Sequence, residues 1–100
     1  MLAPTPPEQL VDAQGRPYFL WDVDMTLDEF RQRLASSELP ARAYLIGKMM
    51  RQAKPDDALQ FISPQEIADL WSQVEKYLGQ TRDFWSWLLD EWRRRGIVRR

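Results

Sequence analysis

The sequence predicts an all-α fold: a compact bundle of about five short helices with an extended aromatic N-terminal arm. Three observations carry that expectation. Helix-start signatures recur at Thr5-Pro6-Pro7-Glu8, Thr26-Leu27-Asp28-Glu29 and Ser63-Pro64-Gln65-Glu66, each a capping residue with a glutamate three positions on. Apolar residues then recur at helical spacings of three and four. No alternating strand pair exists beyond residues 18–23.

After Thr5, only Leu10 and Val11 precede Gln14-Gly15, so the first helix is one or two turns. In Arg16-Pro17-Tyr18-Phe19-Leu20-Trp21-Asp22, proline excludes helix continuation and four large apolar residues follow, which reads as an extended segment. Thr26 opens a helix over 27–36, with Leu27, Phe30 and Leu34 as its stripe. Ser36-Ser37 offers the cap for a helix over 39–53, and Pro40 is tolerated in its first turn. Leu39, Ala43, Ile46, Met49, Met50 and Ala53 continue the stripe, and Pro55 forces a break. A short helix follows over 56–62. Ser63 opens a helix over 64–78 whose face is Ile67, Leu70, Trp71, Val74, Tyr77 and Leu78, closed by Gly79 as a left-handed cap. Thr81 caps the last helix, 82–95, which buries Phe84, Trp85, Leu88, Leu89 and Trp92 and ends at Gly96. The last two faces are expected to meet, packing Ile67, Leu70, Trp71 and Val74 on Phe84, Trp85, Leu88 and Leu89. Residues 1–100 form one domain, divided into an arm (1–25), a helical body (26–96) and a basic tail (97–100).

The chain is 44% hydrophobic and 29% charged with a net charge of −1, which is a folding composition. It has no cysteine, so disulfides and thiolate metal sites are excluded. It has no histidine, which removes the commonest general base and metal ligand. No apolar run is long enough to span a bilayer, and Met1 to Glu8 lack the regions of a secretory leader, so a cytoplasmic chain is expected. Charge is unevenly placed. Residues 1–30 hold Glu8, Asp12, Asp22, Asp24, Asp28 and Glu29 against Arg16 alone, and the C-terminus holds Arg93, Arg94, Arg95, Arg99 and Arg100. The arginines at 93–95 also complement a helix C-terminus.

Two chemical readings fail on context. Residues 19–27 match the strand-D-x-D-x-T-L pattern of haloacid-dehalogenase-type phosphatases, with Asp22 and Asp24 as the acid pair and Asp56-Asp57 as a distal metal pair. That chemistry needs a parallel sheet, and helices follow here instead. The pair of helices ending at Tyr77 resembles a helix-turn-helix, but Gln65, Glu66, Asp69, Gln73 and Glu75 would repel phosphates. No catalytic residue, cofactor, metal or small-molecule substrate is expected. Trp21 and Trp87 fall outside the buried stripes and suit interface anchors.

The string Arg16-Pro17-Tyr18-Phe19-Leu20-Trp21-Asp22 resembles a recurrent opening in small bacterial proteins encoded beside AbiEii-type nucleotidyltransferase toxins. Two further stretches are similar to that group: Tyr44 to Ala53 followed by Asp56-Asp57, and Phe84-Trp85-Ser86-Trp87-Leu88-Leu89. Where the group tends to read Asp-Val-Trp, this chain reads Asp57-Ala58-Leu59. The resemblance implies an antitoxin that binds and neutralises its cognate nucleotidyltransferase toxin, an enzyme class acting on RNA. A small DNA-binding regulator and a subunit of an unrelated complex are the alternatives. An acidic, aromatic arm suits the basic groove of such a partner, which makes Tyr18, Phe19, Trp21, Asp22, Asp24, Met25 and Asp28 the expected contacts. In the competing reading the arm folds back and completes the helical core.

Overall fold

A computed structural model describes residues 4–99. Seven α-helical segments appear among them: α1 (Pro7–Leu10), α2 (Leu27–Leu34), α3 (Leu39–Gln52), α4 (Pro55–Ala58), α5 (Pro64–Asp69), α6 (Trp71–Val74) and α7 (Arg82–Arg94). Short 3-10 turns occupy Tyr18–Leu20, Glu75–Tyr77 and Gly79–Thr81. Among the described residues there is no sheet, only an isolated bridge between Val11 and Pro17. The all-α expectation holds.

α3 is the axis on which the rest assembles. It buries Ala43, Leu45, Ile46, Gly47, Lys48, Met49 and Met50, which is more than one stripe. A helix buried on most of its circumference must be surrounded. Here α2, α4, α6 and the turns at 18–20, 75–77 and 79–81 all pack on it. Its start differs from expectation. Glu38, not a serine, is the N-cap residue, and Ser36 Oγ instead accepts the Glu38 amide at 3.1 Å in the approach to the helix.

Two of the three capping signatures form as expected. Thr26 Oγ1 accepts the Glu29 amide at 3.2 Å and Glu29 returns the contact to the Thr26 amide at 3.0 Å. Ser63 and Glu66 do the same at 3.1 and 3.2 Å. Such a cap is worth about 1 kcal/mol. The first signature does not cap, because Thr5 is engaged elsewhere and Pro6 takes the N-cap position. Thr81 does not cap α7 either, since its hydroxyl donates to the Leu78 carbonyl at 2.6 Å.

The expected helix over 64–78 is broken at Leu70, whose φ of −103° and ψ of 8° leave the helical region. The break lets α5 pack on α7 while α6 packs on α3. One straight helix would present Ile67 and Val74 to the same neighbour, whereas here each is fully buried on a segment with its own neighbour. Gly79 adopts φ +54°, the left-handed conformation its position predicts. Likewise the helix expected over 56–62 stops at Ala58. On α7 the buried residues are Trp85, Leu89 and Trp92, with the Trp85 indole N–H donating to the Met50 carbonyl at 2.9 Å. Leu70, Trp71 and Leu88 pack at the edge of the core, and Phe84 is exposed rather than buried.

The arm is not extended. Leu20 donates to the Pro17 carbonyl at 3.0 Å and closes a 3-10 turn. That turn drives the consecutive Phe19 and Leu20 into the core together, which an alternating strand would not do. Phe19 completes a triangle of edge-on rings with Phe30 and Phe61, at 5.5 and 5.8 Å. The tail folds back too, because Val98 is buried and the Arg99 amide donates to Gln65 Oε1 at 2.9 Å. Met1 to Ala3 and Arg100, the ends of the expected arm and tail, lie outside the described residues.

Gly47 marks the closest approach of α3 to the turn at 75–77. A Cβ there would lie 2.6 Å from Tyr77 Cβ, well inside contact distance and against an atom with no freedom to swing away. Ala is normally favoured over Gly in a helix by about 1 kcal/mol. At this position the overpacking cost of about 1–3 kcal/mol outweighs it. Gly47→Ala is therefore expected to lower the melting temperature by several degrees in a thermal unfolding scan, with an unchanged or raised value counting against the packing.

Candidate functional site

The turn at 17–22 is held from two sides by polar side chains. On one side stands Asp57, in the first turn of α4 and only 1% exposed. Its Oδ1 accepts the Thr5 amide at 2.6 Å. Its Oδ2 accepts the Thr5 hydroxyl at 2.6 Å and the Tyr18 hydroxyl at 2.5 Å. The Tyr18 oxygen in turn accepts the Lys54 amide at 2.8 Å, at the N-cap of α4. Burial alone would raise the Asp57 carboxyl, but the donors from Thr5 and Tyr18 hold it below its ordinary value of 3.8. Burial and the neighbouring carboxylate push the Tyr18 phenol up to about 12.

On the other side α3 supplies Lys48 and Gln52, one turn apart. Lys48 is 4% exposed, and its ammonium donates to Asp22 Oδ2 at 2.6 Å. Gln52 donates to the Phe19 carbonyl at 2.7 Å and to Asp22 Oδ1 at 3.4 Å. The Lys48 bond, reinforced by Gln52, keeps the Asp22 carboxyl below its ordinary range. The Lys48–Asp22 bond is charge-assisted at a partly dry site and belongs to the strong class.

Between the two anchor points the chain exposes Trp21 at 76%. A groove of about 300 Å³ runs beside it, lined by Val11, Arg16, Pro17, Tyr18 and Val23 among others. Asp24 is almost fully exposed at its rim, within 3.6 Å of Arg16. Asp28 is exposed in the first turn of α2. The structure thus sorts the seven expected contact residues. Trp21, Asp24 and Asp28 face solvent, and Tyr18 and Asp22 hold the turn in place. Phe19 and Met25 are core residues and are unavailable to a partner in this state.

The same geometry places the residues of the other sequence-level candidates. Of the residues in the D-x-D-x-T reading, Asp22 is bound to Lys48 and Asp57 to Thr5 and Tyr18. Among the described residues, no three carboxylates gather as metal ligands would. α5 is six residues long and ends at the Leu70 break, so the expected second helix of a helix-turn-helix is not continuous. The arginines at 93–95 are compensated locally by Asp90 and Glu91. Sequence reasoning missed Asp57, Lys48, Gln52 and Thr5 as the anchors. The signal was present: Lys48 interrupts the otherwise apolar run from Leu45 to Met50. A lysine in such a run is retained where it has a partner.

No helix among the described residues is long and apolar enough to cross a membrane. No protein-family model, curated protein or solved structure matches this chain.

The two shifted groups of the anchor give opposite pH limits. Asp57 has a lowered native pKa, so its contribution is fully present above 3.8 and is lost as pH falls through the native value. Tyr18 has a raised one, so its contribution is present below 10.0 and is lost as pH rises towards about 12. In a titration of tyrosinate absorbance, one of the three tyrosines should ionise near pH 12 while the protein is folded, and that step should vanish in Tyr18→Phe. A step surviving in the variant contradicts the assignment.

Proposed function

We propose that this protein is an antitoxin-type binding module that neutralises a cognate nucleotidyltransferase toxin by direct contact through the Trp21 turn. It acts by binding rather than by catalysis of its own, in the cytoplasm. The observation that supports this reading best is the contrast at residues 17–22. The turn is fixed by a buried carboxylate, a buried lysine and a glutamine, yet its apex presents a tryptophan to solvent. An ordered, exposed tryptophan loses little freedom on docking, and tryptophan is the residue most enriched among binding hot spots. Asp24 and Asp28 add negative charge near that apex, which suits the basic groove of an enzyme that handles RNA. The choice of a nucleotidyltransferase as partner rests on the resemblance of Arg16 to Asp22, Tyr44 to Ala53 and Phe84 to Leu89 to the antitoxin group. Two of those stretches meet in the structure, since Lys48 and Gln52 clamp the turn at 17–22.

The test uses the toxin encoded beside this chain. Trp21→Ala should weaken the complex by at least about thirtyfold, the loss of a hot spot worth about 2 kcal/mol. Its melting temperature should stay near that of the parent, because the side chain is mostly exposed. Asp24→Arg with Asp28→Arg should slow association most at low salt. Asp22 is left out, because reversing it would strand the Lys48 ammonium. Full neutralisation of the toxin by Trp21→Ala at equal dose would refute the reading.

A further inference from the structure

The outer face of α7 exposes aromatic and charged side chains that the Trp21 turn does not include. Trp85, Leu89 and Trp92 define the buried side of this helix. Helical periodicity places Asp83, Trp87, Asp90 and Arg94 on the side facing away from them. Trp87 is 56% exposed there, and Phe84 leans on it with ring centroids 6.3 Å apart. A shallow groove of about 550 Å³ continues from Trp87 along Asp90, Arg93 and Arg94. On its outward side the helix therefore carries Asp83 and Trp87 in its first half, Asp90 next, and Arg94 in its last turn.

We infer that this face pairs with the same face of a second copy of the chain, with the two α7 helices antiparallel about a two-fold axis. The charge pattern fixes the occupant and the register. With the axis crossing between Leu88 and Leu89, Asp83 of each copy lies opposite Arg94 of the other, both about 8 Å along the helix from the axis. The same register puts each Trp87 about 2 Å from the axis, so the two indoles meet at its centre. Two opposite-charge pairs thus bracket one aromatic contact.

The local ion pairs permit the exchange. Asp83 is 99% exposed, and its only ion pair among the described residues is a 4.0 Å contact with Arg82. Arg94 rests on Glu91 of its own helix, but Glu91 also holds Arg95 at 3.6 Å. Arg94 can turn to the second copy while Glu91 keeps a partner. Asp90 is the one like-charge meeting at the axis, and each copy brings its own Arg93 to it at 3.4 Å. A partner of uniform charge would match only one end of this face, whereas a reversed copy matches Asp83 and Arg94 at both ends and leaves Asp90 to its own Arg93.

Sedimentation equilibrium on the full chain tests the pairing. The parent should show a concentration-dependent species of twice the 11.9 kDa chain mass. Asp83→Arg alone and Arg94→Asp alone should each weaken self-association at least about tenfold, because each makes two like-charge pairs. Mixed in equal amounts, the two variants should regain the dimer, since both pairs are then of opposite charge. Neither folding defects nor generalised stickiness produces that rescue. Trp87→Ala should abolish the dimer while leaving the Trp21 contact with the toxin intact. A monomeric parent, or a mixture that fails to dimerise, overturns the inference. So does a Trp87→Ala variant that dimerises normally but no longer binds the toxin, which would assign the face to that partner.

Discussion

One buried carboxylate ties together segments that local sequence preference leaves apart. Asp57 sits in a helix of four residues, too short to stand without tertiary support. It receives donors from Thr5 and Tyr18, which lie 52 and 39 positions away. An ionised group this deeply enclosed is tolerable only with its oxygens satisfied, and here both oxygens are. The constraint is therefore mutual. Asp57 requires the N-terminal segment to fold back, and the folded segment delivers Phe19 and Leu20 to the core between α2, α3 and Phe61. Lys48 and Gln52 repeat the arrangement from α3, so the turn is held at Tyr18, at the Phe19 carbonyl and at Asp22.

That double anchorage links the fold to its surface. Hydrophobic burial of Phe19 and Leu20 gives the turn its stability, and the polar anchors fix its geometry. The result is a tryptophan outside the core on a segment ordered by what lies inside it. Under the proposed function, a docking partner would meet a preformed site instead of ordering a loose arm, which lowers the entropic cost of association. On α7 the same division appears in simpler form, with Trp85 and Trp92 inward and Trp87 outward on a single helix.

Helices were legible where the signals were local. Thr26 with Glu29 and Ser63 with Glu66 announce their helices because a capping box is written within four residues. The stripes of α3 and α7, apart from the exposed Leu39 and Phe84, and the left-handed Gly79 were legible for the same reason. What escaped was set by contacts distant in sequence. Thr5 has every mark of a cap but is drawn away by Asp57. Leu70 continues a perfect stripe, yet the helix breaks there because α5 and α6 serve different neighbours. In the candidate site, Trp21, Asp24 and Asp28 were recognisable as surface groups. Phe19 and Met25 were not recognisable as core, because an apolar run after proline is compatible with either an arm or a folded-back turn.

Amide hydrogen exchange in Tyr18→Phe measures the anchor most directly, because the change removes a single oxygen and leaves the ring packing in place. Leu20 and Val23 amides report the turn, since they donate to the Pro17 and Leu20 carbonyls at 3.0 and 3.2 Å. Loss of the phenol leaves the Lys54 amide and one lobe of a buried carboxylate without a partner, a cost of about 1–3 kcal/mol. Protection at Leu20 and Val23 is expected to fall by at least about tenfold, ahead of any change in the middle of α3. Unchanged exchange at those two amides, in a variant as stable as the parent, would show that apolar packing alone holds the turn and that Asp57 does not organise it.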